Sequence, residues 1–312
     1  MSARGSLALH VAVLLLLAVL GAVLPAYHAT NLARIMVLAV FAMGYNLAFG
    51  YAGLLSLGHA LFFSAGLYAA GLLAQAGWPG IATLPAGIAA GGALAALVGL
   101  LALRTTGVAF MIVTLMFAQA GYLAILYFGA WTRGDEGFTL ARAARSLGPL
   151  DLAADGPRYA VALILFAIGL LASLALVRSP AGRVLVAVRE NPERTRMLGY
   201  DPFRARLLAL AVSGLYAGGA GAAYGLLFGY VGATFATVQY SVLPLLWVIL
   251  GGAGTVLGPL VGTAVMFYVV DLAAWVTDAT LLVVGVALMA LVLFAPRGLL
   301  GSLPARALRW LP

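Results

Sequence analysis

The residues able to do chemistry in this 312-residue chain are few and lopsided in type. All seventeen basic residues are arginine, and neither lysine nor cysteine occurs. A phosphate-binding loop needs a lysine to reach the β- and γ-phosphates, and Schiff-base catalysis needs a lysine amine, so neither can be built from this chain. Without cysteine there is no disulfide, thiolate nucleophile or cysteine-ligated metal. His10, His28 and His59 are not spaced with further ligands as a metal site requires. His59, beside Gly58 at the start of an apolar run, reads as a hydrogen-bonded structural histidine near a membrane interface. Among the nine acidic residues only Asp271 falls within a long apolar run. Ion-driven carriers commonly place an ionisable group in the membrane, and this chain has little to offer them.

Charge concentrates instead between Arg178 and Arg206, where seven arginines fall. The punctuation there is clear. Asn191 followed by Pro192 gives an N-cap and an N1 proline, and Glu193 faces the positive helix end. Arg194 and Arg196 lie toward the negative end, and Gly199 suits the position past the C-cap. The pattern predicts a short helix, Pro192 to Leu198. Asp201-Pro202 then repeats the cap-plus-proline start, so the short helix is held at a surface. An ordinary connector would need arginines but not this capping.

The elements that position this loop are membrane-buried. The chain is 64% hydrophobic and 8% charged, against roughly 25% charged in a soluble domain. No charge lies in the 69 residues between Arg34 and Arg104, the 64 between Arg206 and Asp271, or the 28 between Arg104 and Arg133. At roughly 20 residues per crossing, the pattern predicts an all-α integral membrane protein of about ten transmembrane helices, one polytopic domain over 1–312. The expected spans are 7–24, 33–50, 55–75, 82–103, 108–130, 159–177, 203–228, 238–250, 256–274 and 279–295, with the loop 178–206 between spans six and seven. The apolar run after Arg4 has signal-peptide features, but about eighteen residues suffice to cross, and it is read as the first span. Pro244 makes 238–250 a candidate broken or re-entrant helix, tolerated only where protein or a cavity surrounds it.

Parity orients the chain. Placing both termini in the cytoplasm puts twelve of the seventeen arginines inside, as the positive-inside rule requires. The external loop then carries Arg133, Arg142, Arg145 and Arg158, balanced by Asp135, Glu136, Asp151 and Asp155. The net charge of +8 follows from the same rule, and no basic stretch interleaved with aromatics suggests nucleic acid. Small residues recur every four positions at Gly87, Gly91, Ala95 and Gly99, at Gly221, Gly225 and Gly229, and at Gly254, Gly258 and Gly262. In lipid this spacing lets helices approach closely. Polar groups within the spans mark a translocation pathway or interhelical hydrogen bonds. They are Asn46, Ser56, His59, Thr114, Gln119, Ser213 and Tyr216.

The arginine loop, the stretch from Asn46 to Gly66 with its Gly50-Tyr51-Ala52-Gly53-Leu54-Leu55-Ser56-Leu57-Gly58-His59-Ala60-Leu61-Phe62-Phe63 core, the segment Arg104-Thr105-Thr106-Gly107 to Gln119, and the tail Pro296-Arg297-Gly298 together resemble one family. It is the LivM-type membrane subunits of branched-chain amino acid ABC importers, and the likeness covers nearly the whole chain. The resemblance implies a bacterial inner-membrane permease without enzymatic activity and with no cofactor of its own. Its coupling helix, Arg189, Glu190, Asn191, Pro192, Glu193, Arg194, Arg196, Leu198 and Gly199, would dock on a separate ATPase. Implied partners are a homologous LivH-like permease, two ATPase subunits carrying ATP and magnesium, and a periplasmic solute-binding protein. The implied cargo is branched-chain or other neutral amino acids, with urea and short amides as the alternative. A stand-alone channel or ion-coupled carrier, or a membrane scaffold, is the reading from a different class.

Overall fold

The computed structural model describes residues 3–147, 150–276, 282, 285–286, 289 and 298–302. Its helices are α1 (Ala3–Val23), α2 (Ala26–Asn46) running on into a π-helical turn (Leu47–Tyr51), α3 (His59–Gln75), α4 (Gly80–Ala102), α5 (Val108–Tyr127) and the single turn α6 (Gly129–Thr132). Then come α7 (Asp155–Arg178), α8 (Pro180–Glu190), α9 (Pro192–Met197), α10 (Pro202–Phe228), α11 (Val238–Gly251), α12 (Gly258–Val276) and the turn α13 (Gly298–Ser302). Five stretches are long and apolar enough to cross a membrane: Ala26–Tyr51, Gly80–Ala102, Val108–Tyr127, Asp155–Arg178 and Pro202–Phe228. Leu7–Val23, Val238–Gly251 and Gly258–Ala274 are shorter apolar helices. The expected span 279–295 lies outside the described residues.

Three expected boundaries move, each for a physical reason. The second helix starts at Ala26 rather than residue 33, directly after Pro25, whose extended backbone ends the preceding turn. Its first turns, Tyr27 to Asn31, are too polar to read as a span, yet Tyr27 donates to the Asp271 carboxylate of α12 at 2.9 Å. The third helix starts at His59 rather than residue 55, because Gly53 takes a left-handed φ of 72° and breaks the helix. Residues 180–190, expected as plain loop, form α8. Ser179 caps it, and it buries Leu185 and Val188 on one face while Arg183, Val186 and Arg189 stay exposed.

The long helix α2 is the axis of the bundle, with 89% of its apolar window buried. A stretch of polypeptide buried on all sides in this way needs apolar residues all round, and Ile35 to Ala39 supply them without a polar break. Around it pack α7, α10, α11 and α12, and α10 in turn packs backbone to backbone with α3 and α4. A methyl placed on Gly66 would sit 2.1 Å from the Gly218 carbonyl oxygen, and one on Gly91 would sit 2.5 Å from the Gly218 Cα. Gly87 and Gly214 are equally closed, against Ala222 and Ala95. The four-residue stripe on α4 therefore faces α10. The stripe at Gly258 and Gly262 serves a different contact, against Gly251 and Trp247 of α11. Outward faces are apolar, as lipid requires: Leu15, Val19, Ile112, Met116, Ile164 and Ile168 are exposed.

The two ends of the bundle differ. At one end the loop after α6 folds back through the pair β1 (Phe138–Thr139) and β4 (Tyr230–Val231), antiparallel with Phe138 opposite Val231. Arg145 donates to the Leu226 carbonyl at 2.8 Å and to the Leu227 carbonyl, capping the negative end of α10. A second pair, β2 (Ser146–Leu147) with β3 (Leu150–Asp151), sits beside it, tied by an Arg142–Asp151 ion pair of 2.7 Å. At the other end lie α8, α9 and the starts of α5 and α10. Gly91→Val is expected to destabilise the bundle by about 1–3 kcal/mol, the usual cost of overpacking. Thermal unfolding in detergent checks this, with Gly156→Ala, where an added methyl meets nothing within 4 Å, expected to melt as the parent does.

Candidate functional site

Residues 52–58 are not helical and run from the exposed Gly53 beside Arg189 to the buried Gly58 within the bundle. Thr114 is six residues into α5 and Ser213 eleven into α10, which at about 1.5 Å per residue is about 9 and 16 Å from the helix starts. Thr114 bonds this segment and Ser213 the adjoining His59. Non-helical backbone within a bundle survives only if protein satisfies its polar groups, and α2, α5 and the segment's own Ser56 do so here, with α11 serving the adjoining Ala60. Leu57 N–H donates to Thr114 Oγ1 at 3.1 Å, and Ala60 N–H to Ser241 Oγ of α11 at 2.9 Å. Gly58 N–H donates to Ser56 Oγ at 3.1 Å, and the Tyr45 hydroxyl to the Ser56 carbonyl at 3.1 Å. The His59 Nε2 lies 2.7 Å from Ser213 Oγ. Its ring is fully buried between Tyr45 and Phe62, edge-on to both, so His59 sits within the bundle rather than at the interface expected from its place in the sequence.

The break has a counterpart. Phe49-Gly50-Tyr51-Ala52-Gly53 at the end of α2 recurs as Phe228-Gly229-Tyr230-Val231-Gly232 at the end of α10. Each copy closes a long helix, and each is followed by a non-helical stretch and a shorter helix, α3 of 17 residues and α11 of 14. The copies lie at opposite ends of the bundle: Gly50 beside Arg189 of α8, Gly229 beside Arg145 of the loop between α6 and α7. The two short helices therefore enter from opposite sides and meet where Ser241 accepts from Ala60. Phe41, Phe63, Tyr240, Phe235 and Tyr224 pack ring against ring around this meeting point. Pro244, inside α11, is buried and leaves the helix unbroken.

A second polar junction closes the α8 end. The buried Asn46 side chain donates from Nδ2 to the Thr255 carbonyl at 2.8 Å and accepts at Oδ1 from Gly254 N–H at 2.9 Å. Both functions of its amide are spent on the turn joining α11 to α12. Arg189 Nη1 donates to the Gly50 carbonyl at the end of the π-helical turn. That carbonyl is at the negative pole of the α2 axis, where a cation is favoured.

The surface unit is built as its punctuation dictates. Asn191 Oδ1 accepts from Arg194 N–H at 2.9 Å, Gly199 adopts a φ of 87°, and Asp201 Oδ1 accepts from Phe203 N–H at 2.9 Å. Thr195 is buried and anchors α9. Glu193 and Arg196 pair at 3.3 Å across one turn. The face turned outward is apolar: Met197 is 86% exposed, Leu198 69% and Tyr200 51%. Glu190 and Arg194 border it and are exposed.

Of the polar residues singled out from sequence, the structure gathers Ser56, His59, Thr114 and Ser213 into the deep cluster and places Asn46 in the junction above α8. Two lie elsewhere. Gln119 is exposed on α5, and the Tyr216 hydroxyl donates to the Gly169 carbonyl at 2.8 Å and accepts from Ser173 at 3.0 Å, tying α10 to α7. Ser241, Thr255 and the inward reach of Arg189 were not anticipated. The repeated Phe-Gly-Tyr-x-Gly pentapeptide was the signal that could have pointed to the α11 region. Among the described residues no cluster of His, Cys, Asp and Glu could hold a metal ion.

A helical bundle with two inverted, interrupted helices and lipid-compatible outer faces defines a multi-pass membrane permease. The family model for the branched-chain amino acid transport system / permease component matches residues 27–294, and the chain belongs to that family. It is 28% identical over 290 residues to the high-affinity branched-chain amino acid transport system permease protein LivM of Escherichia coli, covering 85% of this chain and 68% of that protein. The same figures hold for LivM of Salmonella typhimurium. No solved structure matches the chain. Membership makes it a transport subunit rather than an enzyme.

The deep cluster makes a prediction independent of that assignment. Thr114→Val keeps the shape but removes the acceptor for Leu57 N–H, and Ser241→Ala does the same for Ala60. Each is expected to cost about 1–3 kcal/mol, the price of an unpaired buried donor. Because both act on one segment, the double variant should fall measurably short of or beyond the sum of the two, read from thermal unfolding of the purified protein.

Proposed function

We propose that this chain is one permease half of an ATP-driven importer of branched-chain or other neutral amino acids, set in a bacterial inner membrane with about ten spans and both termini cytoplasmic. The segment Glu190 to Gly199 forms the coupling helix on which one of two ATPase subunits docks, and those subunits bind ATP and magnesium; Arg189, expected with it, turns its guanidinium to the Gly50 carbonyl instead. A homologous permease packs alongside, and a periplasmic solute-binding protein delivers cargo at the end covered by β1 and β4. The observation that carries this reading is the exposed apolar face of Met197, Leu198 and Tyr200. A solvent-facing loop has no reason to display three large apolar side chains unless a partner covers them, and Thr195 together with the two Asx-proline starts holds that face in a fixed orientation. The relatives' named role in branched-chain amino acid transport supports the cargo.

The exposed stripe Val108, Ile112, Met116, Leu123 and Tyr127 on α5 is the face offered to lipid or to the second permease. The pathway, formed at the permease interface, draws on the interrupted helices, as in transporters built from inverted repeats. Their polar groups here are Asn46, Ser56, His59, Thr114 and Ser213. Substituting Met197 and Leu198 together by Asp, or Glu190 and Arg194 by Ala, is expected to remove the ATPase subunits from the purified complex while membrane insertion is unchanged. Retention of those subunits at parental stoichiometry would refute the docking role. Solute movement in liposomes by the chain alone, without ATPase, would instead identify a channel or carrier. A complex whose ATPase is stimulated through its binding protein by urea or acetamide but not by leucine would reassign the cargo.

A further inference from the structure

Arg189 belongs to the surface unit by sequence and stays exposed, but its guanidinium reaches across to the end of α2. The guanidinium donates to the Gly50 carbonyl, and the stem lies along Gly53, where an added methyl would come within 3.0 Å of the Arg189 Cγ. A methyl on Gly254 would lie 3.5 Å from both the Arg189 Nη1 and the Gly50 carbonyl oxygen. One side chain thus bonds the π-helical turn that ends α2, packs along Gly53 of the non-helical segment that follows it, and lies beside Gly254 in the turn between α11 and α12. The first two belong to the break between α2 and α3, and the third is the turn that follows α11. All three contact points are glycines, so the arginine meets backbone with no side chain between to absorb a displacement.

Two further facts single the contact out. Among the described residues Arg189 has no carboxylate partner, and the bond to Gly50 is its hydrogen bond. The other anchors of α8 and α9 on the bundle are the apolar Leu185 and Val188 and the methyl-bearing Thr195, whose packing gives no direction. The segment Arg189 grips is a π-helical turn, a geometry that is rare and found mostly at functional sites.

Resting on the docking reading above, we propose that Arg189 is the positioning residue that transmits movement of the α8–α9 unit to residues 47–58 and 252–257. It acts through these segments and touches neither cargo nor nucleotide.

The test uses the assembled complex of both permeases and ATPases in liposomes with its binding protein, scored as solute moved per ATP hydrolysed. With Arg189→Ala, ATPase subunits should remain bound at parental stoichiometry while solute per ATP falls tenfold or more. Arg189→Lys, which can still donate to the Gly50 carbonyl, should recover a substantial part of that ratio. An unchanged ratio in Arg189→Ala overturns the proposal, and so does loss of the ATPase subunits, which would make Arg189 a docking contact. Hydrogen exchange on the unmodified complex guards against a variant that fails to fold. ATP binding should change protection of 47–58 and 252–257 in the parent, and no change there overturns the proposal regardless of the variants. Failure of the docking reading itself shows separately, as ATPase retention in the Met197 and Leu198 double variant.

Discussion

The fold turns on a problem of unpaired backbone. A helix satisfies its own amides, so a chain that enters a bundle without being helical must find replacement partners for each amide it frees. Residues 52–58 find theirs on α2 and α5, and the adjoining His59 and Ala60 find theirs on α10 and α11. This makes the start of α3 a place where helices far apart in sequence are held by directional bonds as well as by contact. The same bonds fix how α5, α10 and α11 sit around the start of α3, since Thr114, Ser213 and Ser241 must converge on residues 57–60.

The two interrupted helices share that problem and solve it from opposite ends. A pentapeptide of one kind closes α2 beside α8 and closes α10 beside the β1–β4 pair. At each end an arginine supplies the cation for the exposed carbonyls: Arg189 at Gly50, Arg145 at Leu226 and Leu227. An all-arginine chain suits this use, because the guanidinium presents several donors in a fixed fork and stays charged when half-buried. Neither arginine needs a carboxylate to hold it there, since a helix end already carries partial negative charge.

Much of the architecture was legible in the sequence, because charge-free length and Asx-proline punctuation are direct readouts of burial and capping. The ends of α4, α5, α7 and α10 fall within a few residues of the expected spans, and α9 forms between Asn191 and Leu198. What escaped was depth. Leu54 to Leu57 are as apolar as any span, so composition could not say that the chain crosses there without a helix. His59 was misplaced for that reason, and Ser241 looked like any serine in an apolar run. Amphipathic spacing showed Arg189 as one more surface charge, because direction of reach is set by the neighbouring α2 end, which lies 139 residues away in sequence.

The glycine contacts among α3, α4 and α10 carry one more consequence. Where backbone meets backbone at Gly66, Gly91, Gly214 and Gly218, there are no rotamers to change, so the interface has a single low-energy arrangement and no means of sliding in small steps. These three helices must travel as one body. Any shape change the protein makes is then borne outside them, by α5 with its thinly covered flank and by the α11–α12 pair. The wedge of three helices becomes the fixed frame against which those elements tilt.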